Sequence, residues 1–168
     1  MKVLCADAGA TCGLAVLHAY RGKSALVDWA STRDPLSHPL WLAHLDSCDL
    51  FVVEVSERIY PKGDSGLGAK LATNVGQSMK QGGVLMGVAM ARGVVTMEVN
   101  AIEVRRNLFG KGNASDKEVA NGLRLILAGI GPRSDEHERD AAAAGIYGAQ
   151  RHRLGLMVKP LRAAGGTR

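Results

Sequence analysis

The chain has 168 residues, 46% hydrophobic and 22% charged, a balance that suits one globular domain with its own core and excludes a disordered segment. No run approaches ~20 uninterrupted apolar residues, and the opening lacks the apolar stretch of a secretory leader, so no membrane span is expected and the expected location is the cytoplasm. The formal charge of +5 is uneven: residues 1–57 carry 4 Lys/Arg against 7 Asp/Glu, residues 58–133 carry 11 against 5, and residues 134–168 carry 6 against 4. Basic charge after an acidic first third fits an enzyme acting on a polyanion, although proteins that touch no nucleic acid show the same balance. Cys5, Cys12 and Cys48 have no Cys-x-x-Cys spacing and read as small reduced hydrophobes.

Lys2 to Leu17 reads as a β-hairpin: an apolar run ending in Asp7, a small-residue turn, and a second apolar run from Cys12. Gly9 and Gly13 lack a Cβ, so the backbone there is free to take positive φ or to let another group come close. A carboxylate at that rim is poised to hold a metal or a phosphate, but Asp-x-Gly is also an ordinary turn. Ser24 to Trp29 follows as a third strand, Asp34-Pro35 and His38-Pro39 mark a loop, and Leu40 to Leu45 suits a short helix. Leu50 to Val55 is a nearly continuous apolar run, the pattern of a strand buried on both faces, yet it carries Glu54 near its end.

Arg58 to Gly68 reads as a Gly-rich loop. Ala69 to Ala91 is the longest helical pattern, with Leu71, Val75, Met79, Met86 and Met90 as a stripe facing the core and Gly82-Gly83 as a point of kinking or close packing. Gly93 to Val99 reads as a strand, and Asn100 caps a helix through Leu108. Ser115 and Glu118 form a capping box for a helix from Asp116 to Leu127, and Ser134 caps a last helix from Asp135 to Ala149. The order predicts an α/β fold with a mixed five-stranded sheet, three antiparallel strands and then parallel ones, flanked by helices.

If the first and fourth strands are neighbours, their C-terminal ends bring Asp7 beside Glu54. His137 and Asp140, three apart, share one helix face, and the run Ala141 to Ala144 lets that helix lie close on the sheet. Clustered carboxylates repel one another unless cations neutralise them. Oxygen donors with one imidazole favour Mg2+, with Mn2+ able to substitute, and two such ions ~4 Å apart suit phosphodiester hydrolysis that leaves a 5′-phosphate.

In this order the residues resemble the RuvC-type Holliday junction resolvases, crossover junction endodeoxyribonucleases of the RNase H-like superfamily, in their bacterial or phage branch. The likeness runs from about Lys2 to Tyr147. It is carried by Asp7 with Gly9 and Gly13, by Glu54 in VVEVSE, by LATNVGQ with Gly76-Gln77, by the basic, Gly-containing stretch from Val99 to Lys117, and by His137-Glu138-Arg139-Asp140-Ala141. Ala8 stands where the family has Pro, and Glu57 where an aromatic residue is common.

The resemblance implies an RNase H-like nuclease domain over residues 1–150, a flexible basic tail over 151–168, and Asp7, Glu54, His137 and Asp140 as catalytic metal ligands for two ions. It implies Arg105, Arg106, Lys111 and Lys117 as contacts to a four-way DNA junction, cut by a homodimer that uses no nucleotide cofactor. Tyr60 is the candidate junction wedge; Lys70 and Lys80 are further candidates for the DNA backbone, with plain surface as their alternative. Three other readings stay open: a nuclease for flaps or other branched DNA, an ATP-binding domain of the actin or sugar-kinase type built on the Asp7–Gly13 loop, and a non-catalytic DNA-binding protein.

Overall fold

The structure, a computed structural model, describes residues 1–20, 23–55, 66–131 and 134–155, with side chains for all of these except 66–74. Its strands are β1 (Lys2–Asp7), β2 (Cys12–Tyr20), β3 (Lys23–Thr32), β4 (Leu50–Val55), β5 (Thr96–Asn100) and β6 (Leu127–Ala128). Its helices are α1 (Pro39–His44), α2 (Gly66–Ala91), α3 (Ala101–Phe109), α4 (Asp116–Ile126) and α5 (Glu136–Arg153).

The sheet runs β5-β4-β1-β2-β3-β6. β1, β2 and β3 form the expected antiparallel meander, while β4 lies parallel to β1 and β5 parallel to β4. Five strands are expected from the sequence and six are present. The sixth is two residues long and takes its pairing from the edge of β3, so no period-2 pattern could announce it; it also ends α4 at Ile126 rather than at Leu127.

Side chains alternate across a strand, and here the alternation sorts the core into two layers. Val3 and Cys5 of β1 and Leu50 and Val52 of β4 face α3, α4 and α5, whereas Leu4, Ala6, Phe51 and Val53 face α1 and α2. On the second face Trp41 meets Phe51 edge to face, with ring centroids 5.1 Å apart. The expected α2 core stripe is corrected at Met79. Among the described side chains of α2, Ser78, Gly82, Leu85 and Ala89 are buried; Met86 packs against the core as expected, Val75 and Met90 are half-buried, Met79 is 57% exposed, and the side chain of Leu71 lies outside the described residues. A Cβ on Gly82 would stand 2.5 Å from Val55 Cγ1, so this glycine serves close packing, and α2 runs unbroken through it.

Local capping fixes where the helices begin. Asn100 accepts from the Ile102 N–H at 2.8 Å, and Glu118 accepts from the Ser115 N–H at 2.8 Å. For α5 the cap is Asp135 rather than Ser134: Asp135 accepts from the Glu138 N–H at 2.9 Å, and Glu138 accepts from the Asp135 N–H at 3.0 Å. The helix extends through Arg153, so Arg151, His152 and Arg153 belong to it rather than to a tail. Among the described residues no helix is long and apolar enough to cross a membrane.

Candidate active site

The parity that sorts the core also aims the acids. Asp7 continues the face of Val3 and Cys5, and Glu54 continues the face of Leu50 and Val52, so both point toward α5 at the C-terminal rim of the sheet. They are direct register partners on adjacent parallel strands. Ligands of α/β sheets bind at this rim, where strand ends leave a crevice.

α5 completes the arrangement because its inner face is nearly bare. Ala141 to Ala144 are buried, and a Cβ on Gly145 would land on Cys5 Sγ and 2.8 Å from Leu17 Cδ1. Gly13, paired with Asp7 across the hairpin, has the His137 carbonyl seated where its Cβ would be. Close approach is therefore the reason for this glycine; neither it nor Gly9 takes positive φ. His137 then sits with Nδ1 2.8 Å from Asp7 Oδ2. Asp140, one turn on, receives the Arg105 guanidinium, Nη2 lying 2.9 Å from Oδ2 and 3.2 Å from Oδ1. Asp7, Glu54, His137 and Asp140 line one cleft of about 480 Å³.

The electrostatics follow from crowding and burial. Burial pushes Glu54 well above the usual carboxylate range, and the charges of Asp7 and Asp140 push it further, with Arg105 opposing. Asp140 is raised to about 6, by burial first and by Asp7, again against Arg105. His137 is raised by its hydrogen bond to Asp7, with burial working the other way. Glu54 is 6% exposed and, among the described residues, its carboxylate receives no hydrogen bond. Three carboxylates and an imidazole, one of the acids buried and driven toward its protonated form by burial and by its acidic neighbours, form a donor set that suits a hard divalent cation. Among the described residues no three His, Cys, Asp or Glu side chains close into a finished cation cage, since His137 is turned onto Asp7 and Arg105 onto Asp140.

Solved structures share this architecture. Thermus thermophilus RuvC matches with a TM-score of 0.63 at 24% identity, covering 92% of this chain and 97% of that one. The same protein in complex with Holliday junction substrate matches with a TM-score of 0.66 at 23% identity, covering 92% and 96%. Ydc2, the yeast mitochondrial Holliday junction resolvase, matches with a TM-score of 0.56 at 9% identity, covering 92% and 83%. The fold is that of RuvC. No protein-family model matches the chain, and no curated protein does.

On this RuvC fold the other candidate residues scatter. Arg105 lies inside the cleft, whereas Arg106, Lys111 and Lys117 are exposed on α3, the following loop and α4. Lys111 pairs with Glu118, Nζ to Oε1 at 2.5 Å. Lys80 is exposed and lines a separate groove with Arg33, joined to the cleft at Gly9 and Ala10. Lys70 lies on α2 with its side chain outside the described residues, and Tyr60 and Glu57 lie wholly outside them. Two acids of the cleft carry no obvious signal in the sequence. Asp116 reads only as a helix start, yet its Oδ1 lies 3.4 Å from Arg105 Nη2; Glu136 reads as solvated, yet its Oε1 lies 3.8 Å from His137 Nε2. A periodic pattern cannot reveal either, because both depend on how α3, α4 and α5 dock.

Proposed function

We propose that the chain is a Mg2+-dependent endonuclease, with Mn2+ able to substitute, that resolves four-way Holliday junctions in the cytoplasm by paired symmetric cuts leaving 5′-phosphates. The reading rests on one observation: Asp7, Glu54, His137 and Asp140, drawn from two strands and a helix, line one cleft at the C-terminal rim of a RuvC fold. A junction-bound relative of the same fold supports four-way DNA as the substrate class.

Asp7, Glu54, His137 and Asp140 would hold the metal, two ions per site. Divalent metal held by these side chains would supply Lewis acidity for hydrolysis of the phosphodiester at its 3′-oxygen bond. The chain's own residues do the rest. The Asp7 carboxylate orients the His137 imidazole through Nδ1, leaving Nε2 toward the cleft side of Glu136. Glu54, 6% exposed, lies in a poorly hydrated part of the cleft, where its interactions with Asp7, Asp140 and Arg105 are weakly screened. Arg106, Lys111 and Lys117 are the phosphate contacts beside the cleft, Lys70 and Lys80 extend that contact along α2, and Tyr60 wedges the crossover. Symmetric cutting needs two sites related by a two-fold axis, and the exposed face of α2 with Met79, Gly83, Val84 and Gly87 is the homodimer contact.

The test is cleavage of synthetic four-way, three-way and flap substrates side by side in Mg2+ and in Mn2+. The expected outcome is paired nicks with 5′-phosphate ends on the four-way junction, lost in Asp7→Asn while junction binding persists. Absence of metal-dependent nicking on every branched substrate by folded protein would overturn the proposal.

A further inference from the structure

Arg105 is the one Lys or Arg side chain among the described residues lining the cleft, against five acids: Asp7, Glu54, Asp116, Glu136 and Asp140. Its backbone is anchored by the fully buried Val104 beside it on α3. The guanidinium is clamped from separate elements. Nη1 donates to the Ala114 carbonyl at 2.7 Å, and Nη2 reaches Asp140 on α5 at 2.9 Å and Asp116 on α4 at 3.4 Å. Both Asp140 oxygens fall within hydrogen-bond range of Nη2, at 3.2 and 2.9 Å. The pair is largely shielded, with side-chain exposures of 22% for Arg105 and 17% for Asp140, so it is weakly screened.

A second cation approaching Asp140 meets an oxygen pair already engaged and a positive charge beside it. Resting on the metal-ligand reading above, we infer that Arg105 is the cleft's resident counter-cation, holding Asp140 in the metal-free protein and competing with a divalent ion for that carboxylate. When the ion takes Asp140, the contacts to Ala114 and Asp116 keep the guanidinium at the cleft edge, its charge now available to a substrate phosphate. Arg105 acts through Asp140 and is a positioning residue in this role. Its release couples filling of the acidic site to grip on the DNA.

Mn2+ titration of the 168-residue chain, following the electron paramagnetic resonance signal of free Mn2+, tests the competition without a cleavage assay. Arg105→Gln is expected to bind Mn2+ about tenfold more tightly than wild type, because one repelling charge leaves the site. In an Asp140→Asn background the same change should have a clearly smaller effect, since the contested carboxylate is gone and only the repulsion of one charge remains. Arg105→Lys, which retains the charge but lacks the fork that spans Ala114 and Asp140, should tighten binding by roughly threefold and carries the test if circular dichroism finds the Gln variant unfolded. Equal or weaker Mn2+ binding by the folded variants overturns the inference alone. Failure of both wild type and variants to bind Mn2+ overturns the inference and the metal-ligand reading together.

Discussion

A carboxylate at the end of a strand buried on both faces, as Glu54 is, has little water to solvate its charge and has two other acids for neighbours. Its shape fits the site and its charge does not, unless a cation answers it. Glu54→Gln should therefore stabilise the metal-free protein by about 1–3 kcal/mol, read as a higher Tm in chelator, while cleavage falls about a hundredfold or more. An unchanged or lower Tm would mean that the charge is already compensated. Asp140 carries a related cost with a definite pH window. The folded state keeps a proton that the unfolded chain has given up, so metal-free stability should fall as the pH rises from 3.8 to about 6.

His137 has the opposite sign. Its folded value lies above 6.5, so the favourable pairing with Asp7 is complete below 6.5 and is lost as the pH rises through the folded value. A nuclear magnetic resonance titration of its ring protons should give a midpoint above 6.5, and Asp7→Asn should bring that midpoint down. These four residues were legible in the sequence because a polar side chain closing an apolar strand, and a His and an acid sharing a helix face, break the local pattern. The contact of Arg105 with Asp140 was not, since it spans 35 positions and depends on the docking of α3 against α5.

At the scale of elements, the site depends on how closely α5 lies on the sheet. Gly145 and Gly148 face Cys5, Leu17 and Val52, and a Cβ on Gly148 would stand 2.5 Å from Val52 Cγ2. Gly145→Ala should cost about 1–3 kcal/mol through overpacking and, by lifting α5, weaken cleavage more than junction binding. Gly13→Ala, whose Cβ would collide with the backbone carbonyl of His137, should lower both stability and activity, since a backbone seat cannot turn aside as a side chain can. Wild-type cleavage by Gly13→Ala would mean that α5 does not need this seat. The small-residue run from Ala141 makes the tight face readable from sequence. On α2 only Met79, among the described stripe residues, turns to solvent, because a methionine matches a helical period whether it is buried or exposed.

For the whole molecule, the order of elements was enough to predict a meander followed by parallel strands, since hairpin spacing and helix-separated apolar runs allow few topologies. What the order could not supply was the short sixth strand, which owes its pairing to a neighbour rather than to its own residues. The functional claim rests on the strand order β4-β1-β2, which sets Asp7 between Glu54 and the hairpin partner that seats α5. Its most direct test is a crystal soaked in Mn2+ and measured at the manganese absorption edge. Anomalous peaks within direct ligand distance of Asp7, Glu54, His137 and Asp140 are predicted; a well-diffracting soaked crystal with peaks only elsewhere, or with none, would contradict a metal-dependent nuclease site at this rim.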